Sequence, residues 1–289
     1  MPLTKSHALA VDIGGTKLAV GLVTVEGEVV VSATAPSAAD DGEALFATLM
    51  ALVETVGANG RVAVCGVGCG GPMTAGGETV SPLNIPGWRD FPLRSRLAEA
   101  TGLDTFVDND AKALALAEGW KGAAAGLDDF IAMVVSTGVG GGIVLDGRLL
   151  DGAWGNAGHI GHVCVEPDGR TCVCGARGCL EAEASGTAIA AITGRPAAEA
   201  GPEIVARTGR LVGRAVASVA NLLDLGLAVV AGSVALGYGE AFFAAAQAEL
   251  DARARLSFSA GAHIGPAGLG AAGPLVGAAA VGWRGAGRL

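Results

Sequence analysis

"HALAVDIGGTKLAVGLVTVEGEVV", residues His7 to Val30, reads as three short strands separated by two turns. An apolar run meets Gly14–Gly15, a second apolar run meets Glu26–Gly27, and a third follows. The plan returns at "DDFIAMVVSTGVGGGIVLDGRLL", Asp128 to Leu150, where a glycine-rich turn separates two apolar strands and Asp146–Gly147 supplies the next turn. Two copies of one opening predict a chain whose second half repeats the first.

Each half then alternates elements. The first half continues with a helix around Glu43–Val56, a buried strand at "RVAVCGVG", a helix near Leu93–Thr101, and "TFVDNDAKALALAEGW", a strand running into a helix. The second half has a helix near Pro202–Leu223, "LGLAVVAGSV" as a strand into a glycine turn, and a helix from Glu240 to Arg255. The apolar segment Pro274–Trp283 predicts a helix that packs back onto the first half. The fold class is therefore α/β with meander starts and mixed sheets.

Length and composition agree with two lobes and a cleft. The chain has 289 residues, 51% hydrophobic and 16% charged, enough apolar surface for a core throughout. A formal net charge of −9 with no run of lysine or arginine argues against nucleic acid as a partner. Six glycines and two prolines punctuate the uncharged stretch Ile264–Trp283, which argues against a membrane span. Asp12 and Lys17 interrupt the N-terminal apolar run before it could serve as a signal segment, so a cytoplasmic location is expected. Closely spaced thiols in a reducing compartment are more often metal ligands than disulfides. Cys65, Cys69 and Cys164, outside the tight cluster, read as buried small hydrophobes.

The glycine turns are the candidate phosphate sites. The chain has no G-x-x-x-x-G-K-[ST], and "GVGCGGP", after the strand at Arg61–Cys65, lacks dinucleotide spacing and runs into Pro72. What remains is "DIGGTK" and "STGVGGG", turns where successive N–H groups can converge on an anion. Gly14, Gly15, Thr16 and Lys17 form one half of the predicted clamp, and Thr137, Gly138 and Gly140 the other. Asp12 would be repelled by phosphate, so its expected task is to hold magnesium, usually through water.

Two further stretches carry chemistry. In "VDND", Asn109 and Asp110 stand where a strand gives way to a helix, the usual ligand side of an α/β sheet, although either could simply cap that helix. In "AGHIGHVCVEPDGRTCVCGARGCLE", Ala157 to Glu181, Cys172, Cys174 and Cys179 follow His162 as C-x-C-x4-C. Three thiolates and one imidazole can close a tetrahedral zinc site, and the alternatives are a redox cluster or inert core cysteines.

"DIGGTK", "GGPM", "FVDNDAKALALAE", "STGVGGGIV" and "CVCGARGCLE", in order from residue 8 to about 285, resemble the ROK family (repressors, open reading frames, kinases), particularly its bacterial glucokinase branch. The resemblance implies a duplicated actin-like, RNase H-like fold. Its smaller lobe would span 1–112 plus about 274–289, and its larger lobe 113–273. ATP with magnesium and a hexose would bind, Gly232 in "VVAGSV" would cover the adenosine, and the protein would be a homodimer. It further implies Asp110 as the base on the 6-hydroxyl, Asn109 on neighbouring hydroxyls, Asn84 and the Gly71 backbone against the sugar, and Glu181 on the 1- and 2-hydroxyl side. With the family's cysteine pattern counted, His162, Cys172, Cys174 and Cys179 hold a structural zinc that braces the loop presenting Glu181, and His162 can reach the sugar with its other nitrogen.

His159 departs from the family. The glucokinase branch has glutamate there, in E-x-G-H, accepting from the 2- and 3-hydroxyl region, whereas this chain reads His159-Ile160-Gly161-His162. A carboxylate accepts from two hydroxyls, while neutral imidazole offers one acceptor and one donor. His159 as a fifth zinc ligand is disfavoured, because the tetrahedron is already filled. The expected activity is ATP-dependent phosphorylation of the 6-hydroxyl of glucose or a glucose-like sugar, with an amino sugar such as kanosamine or N-acetylmannosamine as the alternative acceptor. A non-catalytic sugar sensor of the repressor branch would carry a helix-turn-helix ahead of "DIGGTK", and eleven residues precede Asp12. A zinc-stabilised interaction protein would have no use for Asp110 and two glycine clamps.

Overall fold

The computed structural model describes residues 6–37, 41–57 and 61–289. It divides into two compact units: Met1–Lys121 with Asp151–Ala157 and Ala271–Leu289, and Gly122–Leu150 with Gly158–Gly270. In chain order the first contains β1 (His7–Ile13), β2 (Lys17–Thr24), β3 (Val29–Pro36), α1 (Gly42–Val56), β4 (Val62–Cys69), α2 (Leu93–Thr101), β5 (Thr105–Asn109) and α3 (Asp110–Lys121). The second contains β6 (Phe130–Val135), β7 (Val139–Leu145), β8 (Arg148–Leu149), α4 (Leu180–Ala184), α5 (Gly186–Thr193), α6 (Pro202–Leu223), β9 (Leu227–Ala231), α7 (Ser233–Tyr238), α8 (Glu240–Arg253) and β10 (His263–Pro266). The last helix, α9 (Gly273–Gly285), returns to the first unit, where it packs on β1, β4 and α3 as expected.

The duplication is exact at the level of topology. The first sheet has the order β3-β2-β1-β4-β5 and the second β8-β7-β6-β9-β10. In both, an antiparallel three-strand meander is extended by two parallel strands. Asp146 and Gly147 both take positive φ, 51° and 69°, the left-handed pair that a tight β7–β8 turn needs.

Alternation along the strands assigns the faces of the first sheet. Leu9, Val11 and Ile13 face a core shared with Leu45 and Leu49 of α1 and Leu97 of α2. Ala8 and Ala10 face the other way, onto Ala278, Ala279 and Trp283 of α9. These small side chains let α9 lie close to the sheet. At Gly66 a Cβ would come within 2.0 Å of the Ala278 carbonyl oxygen, so strand and helix backbones touch there. β4 runs through Gly66 and Gly68 to Cys69, one residue beyond the predicted "RVAVCGVG". Among the described residues no helix is long and apolar enough to cross a membrane.

Candidate active site

In the first unit, strand register gathers two acids around one glycine. Asp12 of β1 lies opposite Gly68 of β4. A Cβ at Gly68 would sit 3.6 Å from Asp110 Cα and 3.7 Å from Asp12 Oδ1, so both acids flank that position. Burial, with a further contribution from the Asp110 charge, pushes the Asp12 carboxyl up to about 7, and Lys17 acts in the opposite direction. A cation arriving beside such a carboxyl would favour its ionised form and oppose that shift.

The β1–β2 turn packs on the loop of Asn84. A Cβ on Gly15 would fall 2.6 Å from Asn84 Cβ, a distance only glycine permits. The Gly71 carbonyl accepts the Leu83 N–H at 3.3 Å, tying that loop to the same neighbourhood. Gly14 N–H closes the hairpin on the Lys17 carbonyl at 3.0 Å. Asn109 is buried at the end of β5, and its Oδ1 accepts from Ala111 N at 3.0 Å and Lys112 N at 3.4 Å. It therefore caps α3, and Asp110, the first residue of that helix, accepts the Ala111 N–H at 2.8 Å.

In the second unit, four other sequence-predicted positions lie at or beside the β6–β7 turn. Glu181 Oε2 accepts the Val139 N–H at 3.0 Å, and a Cβ on Gly138 would lie 3.2 Å from the same oxygen. The Thr137 carbonyl accepts from Thr187 Oγ1 at 3.0 Å. Gly232, with φ of 101°, enters α7 with its α-carbon so close to β6 that a Cβ would be 2.3 Å from the Val135 carbonyl oxygen. Gly140 is placed differently from its neighbours: it is a β7 residue opposite Val134, not part of the turn.

His159 and His162 bracket a single 3-10 turn, Ile160–His162, with their rings 6.2 Å apart and 17° from parallel. The glycine between them is required by packing, since a Cβ on Gly161 would sit 2.2 Å from the Val139 carbonyl oxygen. His159 is exposed and His162 half-buried.

His162, Cys172, Cys174 and Cys179 bring their ligand atoms within 4.8 Å of one another. His162 Nδ1 is 3.7 Å from Cys172 Sγ, and Cys174 Sγ is 3.7 Å from Cys179 Sγ. A tetrahedron with Zn–S bonds of about 2.3 Å has S···S edges of about 3.8 Å, so the donor set fits zinc in number, chemistry and spacing. Nδ1 on the metal side leaves Nε2 as the second nitrogen of His162. Cys179 immediately precedes α4, whose Glu181 reaches Val139 and whose buried Glu183 accepts the Arg170 N–H of the cysteine loop at 2.6 Å. Cys65 and Cys69 are buried as expected, but Cys164 is exposed. Cys164 lies opposite the buried Cys179 on an isolated antiparallel bridge.

Sequence reasoning missed Lys112. Only 2% exposed, it donates to Asp108 Oδ1 at 2.8 Å, Asp151 Oδ1 at 2.9 Å and the Gly155 carbonyl at 3.1 Å, while Arg284 reaches Asp151 at 3.1 Å. Burial raises the Asp108 carboxyl, and Lys112 opposes that shift. The i, i+4 spacing of Asp108 and Lys112 across the Asn109–Asp110 junction was the available signal. Also missed was a literal G-x-G-x-x-G at Gly268–Gly273. It follows β10 but leads into α9, which packs on β1 and β4 in the other unit, so it does not form the strand–turn–helix of a dinucleotide site.

The family model described as ROK family matches residues 8–283. An N-acetylmannosamine kinase of Escherichia fergusonii is 38% identical over 250 residues, covering 80% of this chain and 84% of that protein. A glucokinase of Thermotoga maritima is 40% identical over 190 residues, covering 65% of this chain and 60% of that protein. Among solved structures, a ROK family glucokinase from Streptomyces griseus in complex with glucose and AMPPNP superimposes with a TM-score of 0.84 at 30% identity, covering 96% of this chain and 99% of that one.

Proposed function

The chain belongs to the ROK family and is an ATP-dependent sugar kinase; from that premise we propose that its acceptor is a 2-acylamino hexose of the N-acetylmannosamine type. The reaction moves the γ-phosphoryl group of ATP to the sugar's 6-hydroxyl. As the P–O bond to the β-phosphate breaks and the bond to O6 forms, Asp110 takes the hydroxyl proton and ADP departs. Asn109, whose Oδ1 is committed to capping α3, meets a neighbouring hydroxyl through Nδ2. Gly71 and Asn84 line the same sugar. Glu181, His159 and His162 Nε2 address its carbon-1 to carbon-3 side.

Gly15, Thr16 and Lys17 on one turn, and Thr137 and Gly138 on the other, receive the phosphates, and Gly232 lies under the adenosine. Magnesium, when bound with ATP, supplies charge neutralisation on the phosphates, and Asp12 is placed to hold it through water. His162, Cys172, Cys174 and Cys179 would hold a structural zinc, and metal analysis should return about one equivalent per chain. A homodimer and a cytoplasmic location belong to the same reading and rest on the resemblance and composition.

His159 is the observation that carries the acceptor assignment. An acetamido group presents one donor and one acceptor, the complement of a neutral imidazole, whereas a carboxylate at this position can only accept. The relative named for N-acetylmannosamine also matches more of this chain than the glucokinase does, 80% against 65%. The test is a steady-state panel of glucose, mannose, N-acetylglucosamine and N-acetylmannosamine with ATP, on the wild type and Asp110→Asn. N-acetylmannosamine should give the highest kcat/KM, and Asp110→Asn should lower kcat by about 10²–10⁴. A variant with full turnover would remove Asp110 as the base.

A further inference from the structure

We propose that Cys164 is an oxidation site, at which a peroxide couples it to Cys179 as a disulfide and withdraws Cys179 from the Cys3His metal set. The two residues face each other across an isolated antiparallel bridge. Leu180 N–H donates to the Val163 carbonyl at 2.9 Å, and Val165 N–H to the Gly178 carbonyl at 2.8 Å. These bonds bracket the pair, so Cys164 and Cys179 form the non-hydrogen-bonded position of the bridge, with side chains on one face. Opposite residues at such a position have Cα atoms about 4.5 Å apart, inside the ~4.4–6.8 Å span of disulfides. Rotation about the two χ1 angles is enough to join them; the backbone need not move.

Exposure and place together select the sulfur that reacts first. Cys164 and Cys174 are exposed and Cys172 and Cys179 buried, and of the two exposed thiols Cys164 alone lies outside the four-ligand cluster. The Cys164 thiol attacks the peroxide, giving sulfenic acid and water as the O–O bond breaks. The Cys179 thiolate then attacks the sulfenic sulfur, forming the S–S bond and expelling hydroxide. Two sulfurs lose two electrons in all, and one peroxide accepts them. A zinc ion held by the cluster would keep only His162, Cys172 and Cys174 as ligands. Because Cys179 abuts α4, the change reaches Glu181 two residues on.

The consequence for zinc rests on the metal reading given above; the disulfide itself does not. Purified full-length protein is treated with hydrogen peroxide, its disulfides are mapped by non-reducing peptide mass spectrometry, and released zinc is followed with a chromogenic chelator. The expected result is a Cys164–Cys179 cross-link with zinc released in step, reversed by dithiothreitol and added zinc. Release from Cys164→Ser, and from Cys164→Ala as a second variant, should be at least about tenfold slower. Release at the wild-type rate from both variants, or a cross-link joining Cys179 to Cys174 or Cys172 instead, overturns the proposal. If the purified protein holds no zinc, the metal reading fails while the peptide map still decides the disulfide.

Discussion

His159 replaces a group that only accepts hydrogen bonds with one that also donates, on a turn held rigidly by Gly161 against Val139. Hydrogen bonds to charged groups contribute about 1.5–3 kcal/mol, so restoring the carboxylate should matter. His159→Glu is expected to raise the glucose to N-acetylmannosamine ratio of kcat/KM by about tenfold or more. An unchanged ratio would show that His159 does not set specificity. Residues whose chemistry is local were legible in the sequence: Asp110 at a strand–helix junction, the two glycine turns, and the C-x-C-x4-C spacing. Cys164 was not, because which face of the chain it occupies depends on pairing with Gly178–Leu180, fourteen residues or more away.

At the scale of elements, α3 is held at its start by a buried ionic cluster. Lys112 joins Asp108 at the end of β5 to Asp151 in the segment Asp151–Ala157, so one ammonium ties three pieces of the first unit together. Lys112→Met should destabilise the protein by about 3–5 kcal/mol, because it removes the nearer of Asp108's two cations and leaves the buried carboxylate only Arg284, at 3.8 Å. The double variant with Asp108→Leu should lose less than the single one, measured from urea denaturation midpoints. Equal losses would mean that the ammonium's packing, and not its charge, is what matters. Here the sequence showed only half of the arrangement. The i, i+4 pair is local, but Asp151 and Arg284 are brought in by tertiary folding, which no periodicity records.

Across the whole molecule, one topology used twice explains why the fold was legible from two short stretches: each meander announces itself by its turns, and the parallel strands follow. The Asp12 carboxyl gives this scaffold a pH dependence. Its native value, about 7, lies above its ordinary 3.8, so the folded state holds the proton more tightly than the unfolded chain. The stabilisation is full below about 3.8 and is lost as pH rises through about 7. Without nucleotide or magnesium, the denaturation midpoint should therefore fall between pH 5 and pH 8 more steeply in the wild type than in Asp12→Asn; parallel curves would contradict it. The assignment of the acceptor is tested most directly by competition. Equal concentrations of N-acetylmannosamine and glucose share limiting ATP, and the sugar phosphates formed are identified and counted. The account predicts that the 6-phosphate of N-acetylmannosamine dominates; a product that is mainly glucose 6-phosphate would contradict it.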